Sequence, residues 1–239
     1  MVTSRYLAVT AAELPGVSPE NEKIAYMACH FSPYATGLSN MPSVLPKGSM
    51  LILNDRIPIC GHDPHRIADQ LAQAMDALPC DSLLLDFQCP GNDETVQLCE
   101  LLCKQLPCPL GISHHYAGDL DCPVFLPPPS PDIPLSEHLK PWKGRKIWLE
   151  AALDAVQLTV RVAGCHRSPL PYELPDGDTF IEESLHCRYR CEVTSDEIRF
   201  SLYRTTDQLD ALLEEAGTLG IEKAIGLYQQ LGIRKPLVK

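Results

Sequence analysis

Asp81-Ser82-Leu83-Leu84-Leu85-Asp86-Phe87-Gln88, followed at once by Cys89-Pro90-Gly91, is the stretch on which the fold turns. A strongly apolar run with polar groups at its two ends is the pattern of a strand buried on both faces of a parallel sheet. Side chains alternate along a strand, so Leu84, Asp86 and Gln88 share one face and Leu83, Leu85 and Phe87 the other. One face therefore ends in an acid and an amide.

Working outward, the neighbouring segments repeat a strand-helix rhythm. Lys23 to His30 predicts the first strand of a barrel. Met50 to Asn54 is apolar, runs out into Asn54-Asp55, and precedes a helix over 65–78 that Asp63 and Pro64 open as N-cap and first-turn proline. After the central strand, Asn92 or Asp93 caps a second helix. Pro109 to Ser113 and Pro123 to Leu126 read as short strands, the latter stopped by the proline run Pro127–Pro131. From Thr36 to Gly48 the sequence leaves room only for a turn in place of a helix. Lys146 to Leu153 is a further strand, with Trp148 and Glu150 on one face. From Val156 to Tyr203 the periodicity changes, and Thr194-Ser195-Asp196 joins two alternating runs as a hairpin. A helix from Thr206 or Asp207 through Leu219, ended by Gly220, leads to a closing strand over Lys223 to Leu231.

With 239 residues, close to the roughly 250 of such barrels, these units predict an α/β chain. The expected fold is a TIM-type (β/α)8 barrel, irregular or incomplete, in one domain over 1–239, with an antiparallel excursion near 156–203. About seven strong parallel strands are legible, and the eighth comes from Arg5 to Thr10 or from the excursion. In such barrels the polar groups at the C-terminal ends of the strands are where ligands bind and chemistry happens.

The formal charge of −11, from 20 Lys and Arg against 31 Asp and Glu, argues against nucleic acid and anionic membrane as partners, since both require clustered cations. No apolar run reaches the roughly 18 residues of a membrane span, and the expectation is a cytoplasmic protein. Eleven cysteines, an odd number scattered through strands and helices, fit a reducing compartment. Cys60-Gly61-His62-Asp63-Pro64-His65 holds ligand types without zinc spacing, so it reads as a helix cap. No metal and no cofactor are expected.

The central strand resembles the fourth-strand signature of glycoside hydrolase family 18, the chitinase-like barrels, which reads D-x-x-D-x-D-x-E. Asp81 and Asp86 match its first and third acids, Leu84 replaces the second, and Gln88 stands where the family has its Glu. The segment Tyr189 through Gly232 is similar to the family's ending of a strand pair, a helix and a closing strand. The resemblance implies a substrate-assisted glycosidase in which that Glu protonates the leaving oxygen. A carboxamide has no proton to transfer, and losing a general acid costs on the order of 10²–10⁴ in rate. The family's sixth-strand Tyr and Asp should fall near Phe125 to Ser130, which hold prolines and Ser130. Tyr228 occupies the place of the family's closing-strand Trp, the floor of the sugar site.

The expected site therefore gathers polar strand ends. Gln88, His30, His114 and Tyr228 are the ligand-binding candidates. Asp86, with Glu150 or Asp55, would be catalytic if the protein is active. Each has a plainer reading, as a turn residue, an ion-pair partner or a packed histidine. Three functions stay open: a family-18-like barrel that binds a carbohydrate or glycan fragment without cleaving it, an active glycosidase using Asp86 with Glu150 or Asp55, and a structural or protein-interaction module whose mouth is closed by residues 127–134.

Overall fold

A computed structural model of the chain describes residues 2–17, 23–34, 36–89, 91, 93–173 and 177–231. The expected cap at Asn92 lies outside them. The chain divides into two compact units: Ser4–Leu126 with Arg145–Glu150 and Lys223–Lys239, and Met1–Thr3 with Pro127–Gly144 and Ala151–Glu222. No helix among the described residues is long and apolar enough to cross a membrane.

The first unit is built from β1 (Ser4–Val9), β2 (Lys23–Phe31), β3 (Leu38–Ser39), β4 (Ser49–Asn54), β5 (Cys80–Asp86), β6 (Leu110–Ser113), β7 (Val124–Leu126) and β8 (Ile147–Ala151). Helix α1 (Pro64–Ala77) joins β4 to β5, and α2 (Asp93–Gln105) joins β5 to β6. Asp63 caps α1 by accepting the N–H of His65, with Pro64 in the first turn. The second unit carries α3 (Leu135–Leu139), an antiparallel sheet of β9 (Ala155–Arg161), β10 (Gly164–Pro169), β11 (Phe180–Glu182), β12 (Cys187–Val193) and β13 (Ile198–Tyr203), and α4 (Thr206–Thr218). The chain then returns to the first unit as β14 (Lys223–Leu227) and ends its described part in α5 (Tyr228–Leu231).

The barrel is complete. Its strands follow one another as β1-β14-β8-β7-β6-β5-β4-β2, and β1 also pairs in parallel with β2, which closes the ring of eight. The segment Arg5 to Thr10, readable as an edge strand, is thus a central stave. It moves Lys23–Phe31 from first strand to second and makes β5 the fourth. The stretch Thr36 to Gly48 contributes only the two-residue β3, antiparallel to β2. The closing strand stops at Leu227, because residues 228–231 turn into α5 instead of extending it.

Strand alternation sorts the barrel residues. Tyr6, Ala8, Ala25, Met50, Ile52, Leu84, Phe125, Trp148 and Ile225 form one buried cluster, the set of side chains that face the barrel interior. Trp148 fills the space over β6, where Gly111 has no side chain; a Cβ there would land inside the indole. At the N-terminal end of the strands, Ser49 pairs with Cys80 but Met50 with Ser82, so Asp81 is the extra residue of a bulge. Its carboxylate accepts the Tyr6 hydroxyl at 3.2 Å and ion-pairs with Lys223 at 3.5 Å and Lys23 at 3.7 Å. The Lys223 ammonium also lies 4.6 Å from the Trp148 ring centroid.

In the second unit the strand order is β10-β9-β13-β12-β11, with every neighbour antiparallel. The expected hairpin is β12–β13, closed by Thr194 N–H donating to Glu197 O at 2.9 Å. One face packs Val156, Cys187 and Leu202. Arg204, wholly buried, donates to the carbonyls of Pro129, His186 and Leu185 at 2.7, 3.1 and 3.3 Å.

Candidate functional site

The C-terminal ends of the barrel strands bring polar groups to one rim. Asn54 ends β4 and Asp86 ends β5, and the two stand directly in register on the inward parity of their strands, two residues beyond Ile52 and Leu84. Ser113 ends β6 two residues after Gly111, and Glu150 follows Trp148 by two on β8. By alternation all four take the interior side of the rim.

Asp86 is half-buried, and burial pushes its carboxyl above the usual range. The hydrogen bond from Gln88 pulls it back, and the charge of Asp55 pushes it further up. The Gln88 carboxamide Nε2 donates to Asp86 Oδ1 at 2.6 Å, a short, charge-assisted bond. Gln88 itself is exposed. The acid and amide predicted to share a face are therefore in direct contact.

The backbone beneath them is held from three sides. Asp55, only 8% exposed, accepts Gln88 N–H at 3.0 Å on one oxygen and Cys89 N–H at 2.7 Å on the other. Ser113 Oγ accepts Phe87 N–H at 2.9 Å and donates to Leu85 O at 3.1 Å. The Tyr116 hydroxyl donates to Cys89 O at 2.5 Å, and its ring packs edge-on against Phe87 with centroids 5.8 Å apart. Asp55, an acid candidate on sequence, spends both carboxylate oxygens on this turn. Asn54 likewise donates to the carbonyls of Met27 and Cys29 at 2.8 and 3.0 Å, where the β2–β4 register slips. Sequence reasoning missed Asn54, Ser113 and Tyr116; a polar residue closing an otherwise apolar strand was the available signal for the first two.

The remaining candidates are distributed differently. His30 Nδ1 lies 2.7 Å from Phe31 O and its Nε2 3.1 Å from the Asn40 amide, so both ring nitrogens serve the β2–β3 turn. His114 continues the ladder through its N–H to Phe125 O, and its ring stacks on His115 with centroids 3.8 Å apart. Tyr228 packs against the cluster of Leu7, Val9 and Ile24, whose parity on β1 and β2 is opposite to that of Tyr6, Ala8 and Ala25. This places it behind the barrel wall, as a consequence of the chain turning into α5 after Leu227. Among the described residues, no group of three or more His, Cys, Asp or Glu is placed so that it could hold a metal ion. His62 instead sits against Ile59 O at 2.7 Å and the Phe31 ring.

A closed eight-stranded parallel barrel with an antiparallel sheet inserted after its seventh strand decides the comparison with solved structures. The fold is that of a TIM barrel. The chain is similar to the spore cortex-lytic enzyme SleL of Bacillus cereus (TM-score 0.54, 10% identity, 94% of this chain and 70% of that one). The SleL enzyme of Bacillus megaterium matches likewise (TM-score 0.54, 6% identity, 94% and 70%). A chitinase from Chromobacterium violaceum matches along nearly all of both chains (TM-score 0.56, 8% identity, 96% and 95%). No protein-family model matches the chain, and no curated protein matches its sequence significantly.

Proposed function

We propose that this glycoside-hydrolase-like barrel binds a carbohydrate or glycan fragment at the mouth around Asp86 and does not cleave it by the acid-catalysed route of family 18. The observation that carries the reading is the contact of Gln88 Nε2 with Asp86 Oδ1 at the exit of the fourth strand. Gln88 stands where a proton donor is needed, and a carboxamide can orient a sugar hydroxyl or amide but cannot protonate a leaving oxygen. The rigid turn beneath it, tied by Asp55, Ser113 and Tyr116, suits a pre-organised binding group. Calorimetric titration with N-acetylglucosamine oligomers and peptidoglycan fragments tests this. Wild type is expected to bind, and Asp86→Ala to lose at least about tenfold in affinity; equal binding by the two would refute the assignment of the mouth.

One observation favours a second reading. Burial raises the Asp86 carboxyl above its ordinary range, the direction of shift that a general acid needs. With Glu150 on the same rim, Asp86 would serve as the acid of a rearranged pair. Turnover by the wild type that disappears in both Asp86→Asn and Glu150→Gln would establish that reading in place of the first.

A further inference from the structure

Gln88 is bonded to Asp86 in a way that constrains what else can reach that carboxylate. Its backbone is immobilised, since Asp55 holds the N–H groups of Gln88 and Cys89 at 3.0 and 2.7 Å, Ser113 Oγ holds Phe87 N–H at 2.9 Å, and the Tyr116 hydroxyl holds Cys89 O at 2.5 Å. Its side chain, by contrast, is exposed and bears on Asp86 through a single hydrogen bond of 2.6 Å. The turn therefore stays where it is while χ rotation of Gln88 remains open, a motion of exposed side chains on the ps–ns scale.

We propose that Gln88 is the specificity-determining residue of the mouth, a side-chain latch whose carboxamide occupies Asp86 until an incoming group displaces it. The inference rests on the reading that this mouth takes a ligand, and it defines the ligand's chemistry at one point. Whatever replaces Gln88 must present an N–H or O–H donor to Asp86, because the displaced bond is charge-assisted and an unpaired, half-buried carboxylate would be left behind otherwise. Apolar groups and acceptor-only groups are excluded from Asp86. Hydroxyl-bearing and amide-bearing ligands are admitted at the net difference between two similar bonds. Asp55 supports the latch as a positioning residue, by fixing where the Gln88 side chain starts.

The test reads the latch without any ligand. Full-length wild type, Gln88→Ala and Gln88→Met are exposed to a water-soluble carbodiimide with glycine ethyl ester at pH 6, and amidation of Asp86 is followed by mass spectrometry against surface carboxylates of the same sample. Position 88 is exposed, and the backbone contacts that hold it do not involve its side chain, so circular dichroism is expected to be unchanged in both variants. The latch predicts Asp86 labelling about tenfold faster in Gln88→Ala and in Gln88→Met, since either change removes the hydrogen bond. Faster labelling in the alanine variant alone means the side chain merely shields Asp86 by bulk, and overturns the proposal, as does unchanged labelling in both. If labelling rises in both variants while the wild type binds no sugar oligomer, the latch stands and the carbohydrate reading fails.

Discussion

Asp55 and Gln88 come from strand exits 33 residues apart, and the carboxylate of the first holds the backbone N–H of the second at 3.0 Å. With its other oxygen on Cys89 N–H at 2.7 Å, Asp55 is the device that shapes the turn after the fourth strand. Removing it leaves two backbone amides of the turn without their acceptor. Asp55→Ala is expected to destabilise the protein by about 2–4 kcal/mol, counting two hydrogen bonds to a charged group. Asp55→Asn, which keeps one acceptor oxygen, should lose about half of that. Urea unfolding of the three proteins checks the ranking, and no measurable cost for alanine would contradict the role.

Asp86 is expected to trade stability for site chemistry. Its folded-state pKa is raised, chiefly by burial, so the native state binds the proton more tightly than the unfolded chain does. As pH rises through the carboxylate range and beyond, up to the folded value, this group costs stability. Asp86→Asn should therefore raise the melting temperature at neutral pH, with the gain shrinking as pH falls below the ordinary aspartate range. A gain that grows on acidification would reverse the sign and refute the burial account.

Much of this architecture was legible, and for definable reasons. The run Leu83–Phe87 could only be a doubly buried strand, and the Asp63-Pro64 pair could only start a helix, because both signals are local. The β12–β13 hairpin was visible for the same reason, through alternation on either side of Thr194–Asp196. What escaped was set by partners distant in sequence. Arg5 to Val9 looks like an edge strand until Lys223 and its neighbours arrive from the other end of the chain to pair with it. Asp55 looks like a free acid until the amides of residues 88 and 89 are placed over it. Tyr228 falls on the closing strand by sequence pattern, but the chain becomes helical there and its ring packs against Leu7, Val9 and Ile24. The short outer strands β10 and β11 have no periodic signature of their own; exposed positions dominate both.

The Gly111–Trp148 fit makes a sharp packing prediction. A Cβ at position 111 would overlap ring carbons of Trp148, which is 1% exposed in the barrel interior. Gly111→Ala should cost about 1–3 kcal/mol or more, the usual penalty of overpacking. Pairing it with Trp148→Leu should recover part of the loss, so that the double variant is more stable than the sum of the singles. Strict additivity in denaturant melts would show that the two positions do not share that space.

At the opposite end of the barrel, the Tyr6 phenol is pushed far above its ordinary value, first by burial and then by the Asp81 charge and hydrogen bond. The proton it retains stabilises the native state fully below the unfolded phenol's pKa, and that contribution is lost as pH rises past it. Ultraviolet titration should show Tyr6 ionising only on alkaline unfolding. Tyr6→Phe should remove one slow-ionising phenol from that trace; an unaltered trace would mean that Tyr6 titrates freely.

In the second unit, Arg204 holds three carbonyls while fully buried. Arg204→Met leaves them without a donor and is expected to cost about 3–5 kcal/mol, as when one member of a buried polar set is removed. Hydrogen exchange should report it first as faster exchange in β12 and β13. Unchanged protection there would argue that the guanidinium is dispensable.

The most direct test of the central claim is turnover of N-acetylglucosamine oligomers by the wild type beside Gln88→Glu, which places a carboxyl at the exit of the fourth strand. The account predicts that the wild type binds oligomers without hydrolysing them. Hydrolysis by the wild type that survives Gln88→Ala would contradict it, because the chemistry would then be supplied by other groups of the rim.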